Sequence, residues 1–551
     1  MVTSDAADAL AFEATAPAAL RNAVANRPDA PFIIERDQRL AYAEAESRTR
    51  GIAAGLIASG VGKGSRVAIL FPNSIEFALY CLAAARVGAV VIPVNTFSKP
   101  AEIAHQLRHC DAQILVTTSH FLGNDYLGRI EQAFPQIATQ HPRKLMLPEA
   151  PHLRAIFVAG DEAPAWADPT ATMEAMGADV EPALIDAIED EVQPSDWLCV
   201  LYTSGSSAEP KGVIHSHGAL LRRTASIARA ARFGQDDIIY NPSPFFWLGG
   251  FSYLFSALTQ GAALMVEPQF EAEATLAFLE HGGCTVALGW PHFGTAMRSH
   301  PTFGERNLSR IKGGNLRAVL RDEPLAGDPG LIAGGIGMTE TAGQHAYPLD
   351  EPLPERLRGA FGYPAPGIEW RIIDVDSGQP LPEGEEGELC VRGYSVMQGY
   401  YKKEREETFD ADGFFRTGDL GVIREGLYFF RGRRNDMIKT SGANVSPAEV
   451  RTAALAIPGV SDCFVTGLDD PLKGQVVAAA IVPERGAAID LAAVTAALRQ
   501  VLSAFKVPKV MRVVDQADIP VLPTAKIDRR ALVKMLQDAQ ASVVVRPANT
   551  H

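Results

Sequence analysis

Cysteine is scarce in this chain: six in 551 residues, at Cys81, Cys110, Cys199, Cys284, Cys390 and Cys463, with no close pair. That spacing argues against a disulfide framework or a zinc site and fits a reducing compartment. Positive charge is also in deficit. Lys and Arg total 51 against 65 Asp and Glu, a formal net charge of −14. A sequence-independent grip on nucleic-acid phosphates is therefore not expected, although a locally basic pocket is compatible with the sum. No long apolar run is present. The most apolar stretch, Phe77 to Val94, is broken by Arg86 and Gly88 and ends in "IPVN", too interrupted to cross a membrane. The opening "MVTSDAADALAFEA" lacks the basic start and apolar centre of a secretory signal. Internal repeats and low-complexity tracts are missing as well. What remains is 47% hydrophobic and 21% charged, an ordinary globular composition with length for roughly two to four domains. The class expected is a soluble cytoplasmic enzyme of small molecules, with no nucleic-acid partner and no membrane span. The sequence carries no signal of oligomeric state.

Strand and helix alternate through the first half. "RVAILF" (66–71) reads as a buried strand, "SIEFALYCLAAARVG" (74–88) as a helix stopped by Gly88, and "AVVIPV" (89–94) as the next strand. Such alternation favours an α/β fold with largely parallel sheets. From about 135 to 196 the chain is acidic and rich in Ala and Pro, and it reads as surface helices and loops. After residue 360 the texture changes. "YPAPGIEWRIIDVDSGQPLPEGEEGELCVRG" has short alternating runs split by Gly and Pro, the pattern of antiparallel strands. In "GRRNDMIKTSGANVSPAEV" (432–450), Ser446, Pro447 and Glu449 supply an N-cap, a first-turn proline and a capping-box glutamate. Val450, Ala453, Ala454 and Ile457 follow at helical spacing. The remainder reads as a compact α+β domain of about 115 residues. The expected organisation is a large domain over 1–434, with mixed α/β subdomains and a β-rich one, and a small domain over 435–551.

The chemistry-bearing stretch is "YTSGSSAEPKG" (202–212). It follows "DWLCVLY", a strand pattern, so its hydroxyls and backbone N–H groups lie where a strand ends, the place where open α/β sheets bind ligands. Successive N–H groups in a Gly/Ser turn make an anion nest, to which Lys211 adds charge. A serine-rich surface turn is the plainer reading of the loop seen alone. It is no Walker A loop, because Lys211 is followed by Gly212 rather than a hydroxyl. "GVGKGSR" (60–66) lacks the upstream glycine and leads into a strand. His215 and His217 would share one face of a strand, but no third ligand is near enough to suggest a metal. "EGEEGELC" (383–390) reads as a charged turn entering a strand.

Further motifs follow in order: "GMTET" (337–341), "FFRTGDL" (414–420), the 432–450 stretch and "PTAKIDRRAL" (523–532). Together with the 202–212 loop they resemble the signatures of the acyl-adenylate-forming superfamily, which includes acyl-CoA synthetases, peptide-synthetase adenylation domains and beetle luciferases. The resemblance spans roughly residues 10 to 535 and is nearest to a bacterial-type acyl-CoA synthetase. It implies ATP, Mg²⁺ and coenzyme A as cofactor and co-substrates, and a small-molecule carboxylic acid as the acyl donor. By resemblance, Thr203, Ser204, Gly205, Ser206, Ser207 and Lys211 would hold the β- and γ-phosphates. Thr339 would hydrogen-bond the α-phosphate, Gly337 would belong to the same cofactor-binding set, and Glu340 would place the metal. Asp419 would accept the ribose hydroxyls, with Arg433 nearby. Lys526 would bridge substrate carboxylate and α-phosphate. The small domain would be mobile, pivoting at Asn435, with Gly442 letting the pantetheine arm pass. Trp247, Gly249 and Gly250 would lie at the acyl pocket.

Departures from the family pattern are Ser206, Ser207 and Ala208 in the loop, Ile336 where an aromatic often stands, Trp247 for a frequent histidine, and Ala525 before Lys526. The segment 315–340 is shortened and lacks the usual Gly-Gly-Ala turn. The expected reaction is ATP-dependent ligation of a hydrophobic aliphatic, aromatic or ring-bearing acid to CoA through acyl-AMP. Two alternatives stand beside it: an acyl-AMP ligase that loads a carrier protein, and a non-catalytic nucleotide-binding relative.

Overall fold

The computed structural model describes residues 10–160, 162–203, 210–321, 328–349, 351–434, 437–440, 443–470, 474–502, 506–522 and 527–544. The chain divides into two compact units, 1–369 with 392–415, and 370–391 with 416–551. The architecture is mixed α/β, with a large N-terminal part and a small C-terminal part.

An eight-stranded sheet in the first unit runs in the order Gly399–Tyr400, Lys211–Ser216, Trp197–Thr203, Val90–Pro93, Arg66–Leu70, Ile114–Thr117, Ala155–Val158, Asp168–Pro169. The pairs from Trp197–Thr203 onward are parallel, while the two at the other end are antiparallel. A second sheet runs Val286–Ala287, Ile238–Tyr240, Ala263–Val266, Pro31–Glu35, Gln38–Ala41 and is parallel except for its last pair. Period-two alternation explains how both sheets are covered. Val67 and Ile69 enter one core and Ala68 and Leu70 another. Ile33, Ile239 and Leu264 of the second sheet join the core of Val67, whereas Ile34, Tyr240 and Met265 face a third. One apolar core is thus shared by the two sheets. The helix Ile75–Arg86 lies in it, capped by Ser74, whose side chain accepts from Phe77 N–H.

The stretch 135–196 differs from its surface reading. Within it Ala155–Val158 is a fully buried strand of the large sheet, and Trp166 is buried too. Four apolar residues inside an acidic surround are too short a run to show a period, which is why composition hid them. His217 also departs from expectation. It is the first residue of a helix, His217–Ala230, capped by Ser216, so it does not share a strand face with His215.

The second unit holds most of a four-stranded sheet, in the order Ile368–Ile373, Glu386–Gly393, Phe415–Arg424, Leu427–Arg433. It also holds a sheet ordered Ala443–Val445, Ile438–Thr440, Gly474–Pro483, Val460–Asp470, with Val510–Val513 alongside Gly474–Pro483. Helix Pro447–Leu455 begins as its sequence signals, with the Ser446 side chain accepting from Glu449 N–H at 3.3 Å. Val450 and Ala454 are buried and Ala453 and Ile457 pack against the same core. Along Gly474–Pro483, Val477, Ala479 and Ile481 face that core and Val476, Ala478 and Ala480 the opposite one.

Candidate active site

Thr203 and Lys211 terminate two antiparallel strands and are register partners, so they form the base of the hairpin that carries the serine-rich loop. Ser204, Gly205, Ser206 and Ser207 lie outside the described residues, as do Asn435, Gly442 and Lys526. The strand Lys211–Ser216 pairs on its other side with Gly399–Tyr400, Val213 opposite Tyr400. Gly212 is dictated by this packing: a Cβ there would meet Val200 at 2.7 Å and Tyr401 at 3.2 Å. Lys63, in the decoy "GVGKGSR", is engaged elsewhere, with Asp196 at 2.8 Å and the Glu191 carbonyl at 2.7 Å.

Thr339 and Glu340 occupy a tight turn, Thr339–Thr341, between the paired strands Ile336–Met338 and Gly343–Ala346. Three groups hold it. His215, fully buried, has Nε2 2.8 Å from the Thr339 carbonyl. Burial pushes this imidazole down to about 4, so it is neutral and donates Nε2–H to that oxygen. Met397 N–H donates to the Glu340 carbonyl at 2.8 Å, and the Tyr400 hydroxyl donates to Glu340 Oε1 at 2.8 Å. The ammonium of Lys211 lies 4.8 Å from the Tyr400 ring centroid. Lys211, Thr339, Glu340 and the base of the hairpin are thereby gathered at one rim of the large sheet. Gly337 has a packing cause of its own, since a Cβ would stand 2.3 Å from the Gly343 carbonyl oxygen.

Asp419 and Arg433 are register partners on adjacent strands of the second unit, with Arg433 Nε 2.9 Å from Asp419 Oδ1. Asp419 is buried and Arg433 exposed. Gly418, at φ 74°, turns the chain in a conformation that favours glycine. Glu388 braces this turn from behind. It is almost fully buried, accepts from Gly418 N–H at 3.1 Å and from Arg416 Nε at 3.0 Å, and pairs with Arg434 at 3.6 Å. Sequence reasoning passed over Glu388 as part of a charged turn; only its place at an inward strand position distinguishes it.

The carboxyl ends of the parallel strands Ile238–Tyr240 and Val286–Ala287 lead to Trp247 and Trp290. The two indoles are 5.8 Å apart and Trp290 stacks on Phe293 at 5.8 Å. Trp290 remains 38% exposed, unusual for an indole beside other aromatics. Buried Asn73 fixes the turn before Trp247 through the Ser243 carbonyl at 3.0 Å and Phe245 N–H at 2.7 Å. Asn315 fixes the turn before Trp290 by bonding both N–H and carbonyl of Gly289, at 3.1 and 2.6 Å. Gly250 is required by close approach, as a Cβ would stand 2.3 Å from the Ser243 and Pro244 carbonyls. Gly249 is exposed and has room for one.

The model of the AMP-binding enzyme family matches residues 20–401, more than half of the chain, and that of the AMP-binding enzyme C-terminal domain matches residues 449–526. The chain belongs to the AMP-binding enzyme family. A methyl-dioxo-octahydroindenyl-propanoyl:CoA ligase of Mycobacterium tuberculosis is 31% identical to it, over 91% of this chain and 95% of that protein. A feruloyl-CoA synthase of Amycolatopsis is 30% identical, over 91% and 94%. Among solved structures, ATP-bound MatB from Rhodopseudomonas palustris superposes with a TM-score of 0.77 at 26% identity, covering 96% of this chain and 99% of that one. These relatives put the chain among the AMP-forming acid–CoA ligases of the AMP-binding enzyme family. No helix among the described residues is long and apolar enough to cross a membrane.

Proposed function

We propose that this AMP-binding enzyme joins a carboxylic acid to coenzyme A at the expense of ATP, first forming acyl-AMP and pyrophosphate, then acyl-CoA and AMP. A carboxylate is a poor acyl electrophile because oxide would have to leave; attack on the α-phosphorus gives a mixed anhydride whose leaving group is AMP. The work of such a site is positioning and charge stabilisation. The observation that carries the reading is the convergence of Lys211, Thr339 and Glu340 at one rim through Tyr400. In it, Thr203, Ser204, Gly205, Ser206, Ser207 and Lys211 hold the β- and γ-phosphates, and Thr339 the α-phosphate. Asp419, with Arg433, binds the ribose. Lys526 stabilises charge during adenylation, and Gly442 borders the pantetheine path. The 434/435 boundary and the pivot at Asn435 belong to the same proposal.

No group of three or more His, Cys, Asp or Glu side chains able to hold a metal occurs among the described residues. Glu340 alone fits a hard cation that takes one carboxylate plus phosphate oxygens, as Mg²⁺ does. Mg²⁺ bound there would neutralise phosphate charge. The acid we assign is hydrophobic, and Trp247 with Trp290 favours one bearing a ring over a short aliphatic one. Pyrophosphate release from MgATP with a panel of aliphatic and aromatic acids, with and without CoA, tests the reading. Acid-dependent release that CoA sustains, with AMP and a thioester formed, is expected. Release indifferent to CoA would instead favour loading of a carrier protein, and ATP binding without turnover the non-catalytic alternative.

A further inference from the structure

Tyr400 touches both charged groups of the rim, and no motif singled it out. Its hydroxyl donates to Glu340 Oε1 at 2.8 Å while its ring face receives Lys211 Nζ at 4.8 Å from the centroid. The ring's negative face attracts a cation, and its polarised O–H is a good donor to a carboxylate. Its backbone is fixed. Gln398 N–H donates to the Ile214 carbonyl at 2.9 Å and Tyr401 N–H to the Gly212 carbonyl at 2.8 Å, so the segment is sewn to the sheet edge on either side of Tyr400. The following residues anchor it: Tyr401, on the opposite face, donates to Asp111 at 2.9 Å, and Lys402, where the chain turns at φ 61°, pairs with the same carboxylate at 2.8 Å. Period-two alternation then aims Tyr400 away from that anchor, toward the turn of Glu340.

Both charged groups therefore lie against one side chain. A direct Lys211–Glu340 ion pair would saturate both groups before a nucleotide arrived, and each would have to be freed again on binding. We propose that Tyr400 is a positioning residue that holds Lys211 and Glu340 apart and oriented, Lys211 toward phosphate and Glu340 toward the metal that accompanies it. The inference rests on the nucleotide-site reading above and adds the residue that keeps the site open. The ring supplies separation and the hydroxyl supplies orientation, so the two roles come apart in two variants.

The test is calorimetric binding of ATP to the full chain, once with excess chelator and once with Mg²⁺, for wild type, Tyr400→Phe and Tyr400→Ala. Tyr400→Phe keeps the ring and loses the hydroxyl. It should bind metal-free ATP like wild type but lose about 5–10-fold of the affinity gained with Mg²⁺, the size of one hydrogen bond net of its exchange with water. Tyr400→Ala permits the ion pair and should weaken ATP about 10-fold or more in both conditions. In both variants KM for the acid and the rate of thioester formation from pre-made acyl-AMP should hold. Wild-type binding in both variants, or a loss in Tyr400→Phe that is the same with and without Mg²⁺, would overturn the inference. If Tyr400→Ala fails to fold, Tyr400→Phe alone decides. Wild-type protein that binds no ATP in either condition would overturn the nucleotide-site reading itself, which is a different outcome.

Discussion

Two turns carry the residues assigned to the nucleotide, and they are braced by opposite physics. The turn Thr339–Thr341 is held by neutral donors: the His215 imidazole, the Met397 amide and the Tyr400 hydroxyl. The turn at Thr417–Asp419 is held by ionised groups, with Glu388 buried between Arg416 and Arg434, and Asp419 against Arg433. The chemistry asked of each explains the contrast. Near triphosphate and metal, a permanent countercharge behind Glu340 would compete with the ligand. A ribose is neutral, so a carboxylate that accepts its hydroxyls gains from being held rigid by fixed charge. Neutral bracing leaves Glu340 available; ionic bracing commits Asp419 to one geometry.

The largest expected effect leaves both turns untouched. Lys526→Ala should lower adenylation by on the order of 10²–10³ or more, as removal of a charge-stabilising donor does, while ATP affinity and thioester formation from pre-made acyl-AMP persist; single-turnover assays of the two half-reactions check this. Next is Glu388→Ala, which strips the buried partner from Gly418 N–H and from two arginines. Because both arginine heads reach water, the cost should be about 2–3 kcal/mol rather than the upper range for buried pairs, read by denaturant unfolding, with a weaker hold on AMP. His215→Gln should cost about 1–2 kcal/mol through the lost buried bond to Thr339, raising KM for MgATP but leaving the binding of adenosine, which lacks the α-phosphate, near wild type. If Glu388→Ala and His215→Gln weakened adenosine alike, the contrast between the turns would fail. The smallest effect is in pH. The folded His215 is pushed down to about 4 by burial, and His217 and His345 likewise. Below the ordinary histidine range of about 6.5, the unfolded chain takes up these protons and the folded one does not, so stability falls as pH falls toward 4. Replacing His215 by Gln should flatten that slope by on the order of 1 kcal/mol between pH 7 and 5.5.

What the sequence made legible, and what it hid, follows the same division. Lys211, Thr339, Glu340, Asp419 and Arg433 stand in short motifs, and the structure gathers Lys211 with the Thr339–Glu340 turn and Asp419 with Arg433. The strand Arg66–Leu70 and the helix Ile75–Arg86 announced themselves by apolar runs of sufficient length. Tyr400, His215 and Glu388 act through partners distant in the chain, and no local spacing betrays a pair such as Tyr400 and Glu340. Asn73 and Asn315 shape the aromatic mouth around Trp247 and Trp290 by bonding backbone, work for which the sequence alone does not single out one polar loop residue over another. Gly250 and Gly337 carry a packing cause that the motifs do not show: a Cβ at either would strike a backbone carbonyl.

The most direct test of the central claim follows an atom. With both carboxylate oxygens of an accepted acid labelled with oxygen-18, turnover with MgATP and CoA should place one label in the phosphate of AMP and leave the other in the thioester carbonyl. Unlabelled AMP, or label in pyrophosphate or orthophosphate, would mean that the carboxylate never attacked the α-phosphorus, and would contradict the account.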